Sequence, residues 1–151
     1  MTEAAACAFV YVTFIRTTQE RLWQALTSVE FTRQYWFGMH QESEWKVGAS
    51  WQLMFPDGRV ADTGEVVEID PPRRLVLRWR NEFRPELKAE GYSRCTMELE
   101  PKDEAVKLTV THVIDHPESK FIGAVSGGWP LILSNLKSLL ETGRVAVETK
   151  A

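Results

Sequence analysis

The sequence predicts an α+β fold in which an antiparallel sheet packs against one long C-terminal helix. Three observations predict it. Residues 44–113 alternate apolar and polar, with turn signals about every ten to fifteen residues, the pattern of half-buried strands joined by tight turns. Residues 129–140 place Trp129, Ile132, Leu133, Leu136, Leu139 and Leu140 at i, i+3, i+4, i+7, i+10 and i+11, one face of a helix. Residues 8–15 (AFVYVTFI) are aromatic and β-branched, a strand by propensity, and a helix-start signal follows at once.

Taken in order, that first strand leads to Thr17, with Glu20 three residues on, the spacing of a capping box. The helix behind it carries Leu22, Ala25, Leu26 and Val29 as one apolar stripe, with Trp23 beside it. A second short helix spans roughly Phe31 to Trp36, and the segment FGMHQES after it reads as irregular. Gly48 separates Trp45 from Trp51, and Pro56-Asp57-Gly58 makes a turn, Pro fixing φ and Gly accepting positive φ. Residues 64–69 (GEVVEI) form a strand that Asp70-Pro71-Pro72 stops, because proline cannot donate to a ladder. In 74–80, Leu75, Leu77 and Trp79 share one face, with Arg74, Arg78 and Arg80 on the other. After a charged loop at 81–90, Ser93, Cys95, Met97 and Leu99 face one way and Glu98 and Glu100 the other. Asp103-Glu104 turns the chain, and Val106, Leu108, Val110 and His112 then share a face. Residues 115–128 read as a loop; the long helix starts near Trp129, with Pro130 in its first turn and Gly143 closing it.

The length of 151 residues suits one domain over 1–151, with a structured core at about 8–143. A net charge of −3 without a basic run argues against nucleic acid as a partner. Cys7 and Cys95 have no paired spacing and read as reduced thiols, which points to the cytoplasm. Glu3 stands where a signal peptide carries positive charge, and no run is long enough for a membrane span. Six tryptophans are the outlier in composition. Trp is bulky and its N–H needs a partner when buried, so these side chains suit a cavity wall as well as a dense core. The inner face of the sheet is wider than one helix, and the remaining space is either filled by large side chains or left open.

Several motifs stand in register along the chain: TTQERLWQALTSVEFTRQYW at 17–36, W-x-V-G from Trp45, D-x-G-E-V from Asp62, D-P-P-x-R-L from Asp70, and G-W-x-x-x-L-x-x-L-K-x-x-L-E-T-G from Gly128. Together they resemble the SRPBCC superfamily, in its branch related to activators of heat-shock-protein-90 ATPase. The departures are Ala49, where a second glycine is common, and Thr18, where the first helix often begins with proline. The resemblance implies a helix-grip architecture, START-like and pollen-allergen-like: a curved antiparallel sheet of six to seven strands around the C-terminal helix, two short helices after the first strand, and a hydrophobic cavity between them.

Faces, rather than motifs, then nominate the cavity wall. Trp51, Leu53 and Phe55 come from one strand, Leu77 and Trp79 from another, and Val110 and His112 from a third. Trp129, Leu133 and Leu136 look down from the helix, while Trp36 and Met39 lie near the mouth. Each of these, taken singly, also reads as core. His112 could hydrogen-bond a ligand or act as an acid or base; the alternative is a buried histidine with satisfied nitrogens. His40 and His116 fall in loops, and no spacing suggests a metal. With no phosphate loop, nucleophile elbow or dinucleotide fingerprint either, no cofactor is expected.

The expected function is non-catalytic binding of a small hydrophobic or aromatic ligand, lipid-like or polycyclic. The resemblance also implies a co-chaperone-like module with a chaperone partner, and an aromatase or cyclase resting on His112 as a third reading. The open edge at 8–15 and the tryptophans of 36–51 allow either a monomer or a homodimer.

Overall fold

The computed structural model describes residues 6–148. The stretches 1–5 and 149–151, which the one-domain expectation includes, lie outside the described residues. The elements run β1 (Cys7–Ile15), α1 (Gln19–Thr27), α2 (Val29–Tyr35), β2 (His40–Ser43), β3 (Ser50–Met54), β4 (Val60–Asp70), β5 (Arg74–Asn81), α3 (Pro85–Lys88), β6 (Ser93–Lys102), β7 (Ala105–Ile114) and α4 (Lys120–Thr142). Seven strands form one open antiparallel sheet in the order β1-β7-β6-β5-β4-β3-β2. β1 and β2 are its two edges, so α1 and α2 carry the chain from one edge to the other. α4 packs against β1, β7, α2 and α3. This is the α+β helix-grip arrangement.

Period two holds where the pattern is clearest. Ser93, Cys95, Met97 and Leu99 of β6 and Val106, Leu108, Val110 and His112 of β7 are all buried. Outward, Arg74 pairs with Glu68 and Glu98, and Arg78 with Glu65, across neighbouring strands. Such half-exposed pairs contribute about 0–1 kcal/mol each, so burial on the inner face carries the sheet. Register shifts in β4 near Leu53/Met54 and Val66/Glu68 are the bulges that increase local twist. Gly64 lies between Trp51 of β3 and Trp79 of β5 in the register. A Cβ there would stand 1.7 Å from the Arg78 carbonyl oxygen, so the glycine of the D-x-G-E-V motif is required by backbone approach.

The structure corrects five local expectations. The first helix is capped by Thr18, whose Oγ1 accepts from the Arg21 N–H, and Thr17 Oγ1 is buried without a partner. Val29 opens α2 rather than closing α1, because Ser28 breaks the chain and caps the second helix. His40 to Ser43, read as irregular, pair with β3 as β2. The charged loop at 81–90 contains α3, begun by Pro85. The largest difference is α4, which begins at Lys120 with Ser119 as its cap, so Pro130 sits inside the helix. Proline there removes one backbone hydrogen bond, from the Ser126 carbonyl on a half-exposed strip of the helix.

Candidate functional site

Three tryptophans from three elements meet above the middle of the sheet. Trp79 of β5 has its ring centroid 6.1 Å from Trp36, at the end of α2, and 5.7 Å from Trp129 of α4. Trp36 and Trp129 are 5.4 Å apart. On its other side Trp79 rests on Trp51, with centroids 4.4 Å apart across side-chain-less Gly64. These separations are those of favourable tilted and edge-on aromatic pairs, worth about 0.5–1.5 kcal/mol each beyond burial.

The indole N–H groups of Trp51, Trp79 and Trp129 each reach an acceptor. Trp51 Nε1 donates to Gln41 Oε1 at 2.9 Å, and Gln41 donates in turn to the Leu26 carbonyl at 2.8 Å. Trp79 Nε1 donates to Asp62 Oδ2. Trp129 Nε1 donates to His112 Nδ1 at 3.2 Å. Because an indole N–H can only donate, His112 Nδ1 accepts and its proton is on Nε2, which donates to Ser93 Oγ at 2.8 Å. Ser93 Oγ passes its own hydrogen to the Trp79 carbonyl at 2.8 Å. The result is a one-way chain from helix to sheet: Trp129, His112, Ser93, Trp79. His112 is fully buried, and burial lowers its pKa to about 3, so it is neutral across the physiological range.

Against this cluster lies a cavity of about 390 Å³. Its wall takes Trp36, Met39, Leu53, Phe55, Trp79 and Trp129 from the residues nominated by sequence. Phe121, Ala124, Val125, Leu131 and Ile132 close it from α4, and the exposed Phe83 and Arg84 stand on its rim. The remaining nominated residues are elsewhere. Trp51 is fully buried beneath Trp79, while Leu77, Val110, Leu133 and Leu136 fill the packed core. His112 is screened from the cavity by Phe121 and Trp79, each with its ring centroid 5.1 Å away. An inward-facing position identifies a core residue; whether it reaches the open part of the core depends on which ring stands over it.

Sequence reading missed the polar part of the wall. Leu53, Asp62 and Asn81 are direct cross-strand partners on β3, β4 and β5, and all three line the cavity. Asp62 and Asn81 are each 6% exposed. Aspartate is rarely buried without a purpose or a partner, so two polar side chains in an aromatic wall are its most specific feature. The signal for Asp62 is present in the D-x-G-E-V motif, but β4 begins at Val60 rather than 64, so the strand pattern over 64–69 does not reach it, and Asn81 lies outside the motif at the end of β5.

Among the described residues no group of three or more His, Cys, Asp or Glu could hold a metal ion. His40, expected in a loop, lies in β2 with Nε2 2.7 Å from Glu42. Both cysteines are free thiols, and no helix of the described residues is long and apolar enough to cross a membrane.

The family model described as activator of Hsp90 ATPase homolog 1-like protein matches residues 16–141. No protein of curated function matches the chain. Among solved structures, a protein from Mesorhizobium loti superposes with a TM-score of 0.77 at 23% identity, covering 89% of this chain and 97% of that one. An HSP90 activator from Plasmodium falciparum gives 0.72 at 25% identity, covering 89% of this chain and 96% of that one. DynU16, a protein of the dynemicin biosynthetic locus, gives 0.72 at 24% identity; the match covers 91% of this chain and 48% of that one.

Proposed function

Since the chain belongs to the family of activator of Hsp90 ATPase homolog 1-like proteins, an SRPBCC-type family, we propose that it binds a small hydrophobic or aromatic molecule in the cavity of its grip. The observation that carries this reading is the cavity of about 390 Å³ walled by Trp36, Trp79 and Trp129. Apolar wall left in contact with water forgoes roughly 25 cal/mol per Å² of burial, which an apolar ligand seated against these rings recovers. The size falls in the range of small-molecule sites, which are mostly apolar with a few placed polar groups. The similarity to a protein of a natural-product biosynthetic locus supports a small organic ligand.

An acid–base role for His112 gains no support, because both its nitrogens are engaged and aromatic rings cover it. Titration with N-phenyl-1-naphthylamine tests the binding reading. Saturable probe fluorescence with matching tryptophan quenching, and loss of both when Val125 is replaced by Trp to fill the cavity, is the expected result. A probe signal that persists unchanged in that variant places binding elsewhere and contradicts the proposal.

A second reading is a protein-interaction module acting on a chaperone ATPase, favoured by the family and by the similarity to an HSP90 activator. One surface suits a protein partner. Val10, Val12 and Phe14 form an exposed apolar row on the edge strand β1. The chaperone's ATPase rate with saturating protein, wild type against Val12→Asp, decides it: stimulation lost in the variant supports the reading, and an unchanged basal rate with wild type removes it.

A further inference from the structure

The polar row in the cavity wall specifies more than an apolar ligand. Asp62 and Asn81 face each other across β4 and β5 in a directly paired position, so their Cβ atoms are about 5 Å apart and their side chains project to the same side. The hydrogen bonds each makes show the sense in which it is used. Trp79 Nε1 donates to Asp62 Oδ2, so that carboxylate is used as an acceptor, and a carboxylate has about four acceptor positions in all. Asn81 Oδ1 accepts from the Arg84 backbone N–H at 2.9 Å, which assigns its other terminal atom, Nδ2, as a donor. The Arg84 guanidinium stands on the rim and reaches Glu86 at 3.4 Å.

An acceptor and a donor thus lie side by side at one end of a space bounded by indole rings. A hydroxyl group is the smallest substituent that gives one hydrogen bond and takes another. The flat walls formed by Trp36, Trp79 and Trp129 select an aromatic body to carry it. Resting on the cavity reading above, we propose that the ligand class is a hydroxylated aromatic, a phenol whose O–H donates to the Asp62 carboxylate and whose oxygen accepts from Asn81 Nδ2. The same row discriminates against carboxylic acids. A ligand carboxylate placed there would stand beside the Asp62 carboxyl, and two carboxyl groups sharing a dry site cannot both ionise without strong repulsion. Fatty acids are accordingly poor ligands for this cavity, which narrows the lipid-like half of the general expectation.

Three probes of one shape test this: 2-naphthol, 2-methoxynaphthalene and 2-naphthoate, measured by quenching of tryptophan fluorescence. Hydrophobicity alone ranks the methoxy compound first, since its extra methyl adds about 0.8 kcal/mol of apolar burial. The proposal reverses that order. It expects 2-naphthol to bind about tenfold more tightly than 2-methoxynaphthalene, as a hydrogen bond to a charged group gives, with 2-naphthoate weakest. In Asp62→Asn, which keeps an acceptor for Trp79, the preference for the hydroxyl should shrink to about threefold or less and 2-naphthoate should gain. Equal or tighter binding of the methoxy compound by the wild type overturns the phenol assignment and leaves the cavity reading standing. A preference that survives undiminished in Asp62→Asn overturns the role of Asp62. Failure of all three probes to bind removes the cavity reading itself, and the proposal with it.

Discussion

From Leu133 to Leu140, α4 buries Leu133, Leu136, Leu139 and Leu140 in the core, and Gly143 closes this half in the left-handed conformation at φ 83°. From Lys120 to Gly128 the same helix carries three glycines, and beside the buried Phe121 and Ile122 its Ala124, Val125 and Gly128 line the cavity. A Cβ added at Gly123 or Gly127 would meet nothing within 4 Å. The first half is also anchored from outside: the Glu90 carboxylate accepts from Ser119 Oγ at 2.5 Å and from the Lys120 backbone N–H at 2.8 Å. One helix therefore does two things. Its C-terminal half is where the grip holds, and its N-terminal half is where the grip leaves room, with Trp129 at the junction.

Truncation should separate the halves most widely. Leu136 is fully buried in the packed half, so Leu136→Ala should cost about 3–4 kcal/mol in urea unfolding, transfer and cavity terms together. Val125, partly buried beside an existing space, should cost less than about 1 kcal/mol when replaced by Ala. Comparable losses at the two positions would erase the distinction.

The junction should carry a pH signature. His112 is neutral in the fold with its pKa lowered to about 3, whereas the unfolded chain protonates it near pH 6.5. The unfolded state therefore binds more protons below that value. Stability from this group is complete above pH 6.5 and is lost as pH falls, by about 1.4 kcal/mol per unit. Glu82 adds its own loss only at lower pH. Burial pushes its carboxyl up, but hydrogen bonds from Arg80, Thr63 and Lys88 outweigh that and hold it at about 2, below its ordinary 4.5. The window between 6.5 and 4.5 thus belongs to His112, and the slope there should flatten in His112→Gln.

The packed half was legible in the sequence because burial repeats there: Leu133, Leu136 and Leu140 mark a helical face, as Val106, Leu108 and Val110 mark a strand face. The open half was not. GAVSGG has no apolar period, and Pro130 looks like a first-turn proline when the real start depends on Ser119 and on Glu90, thirty residues upstream of Lys120. The cavity wall divides in the same way. Trp79 and Trp129 follow from alternation and helical spacing, whereas Asp62 and Asn81 become neighbours only through the register of β4 and β5. His112 reads as inward from sequence, but only the rings of Phe121 and Trp79 reveal that it faces packed core.

The smallest expected effect has the opposite sign to the others. Gly127→Ala meets no obstruction and should stabilise the protein by about 0.5–1 kcal/mol, through better helix propensity in the open half. A destabilised variant would mean that the glycine is needed for packing and that this half is not open.

The most direct test of the cavity reads its walls separately. The six tryptophans give six indole N–H resonances, of which Trp36, Trp79 and Trp129 border the space while Trp23 and Trp45 do not. Titration with 2-naphthol should shift the resonances of Trp36, Trp79 and Trp129 together, with one dissociation constant, and leave Trp23 and Trp45 in place. Shifts confined to Trp23 or Trp45, or no shift in the other three at saturating 2-naphthol, would contradict a binding site between the sheet and the open half of α4.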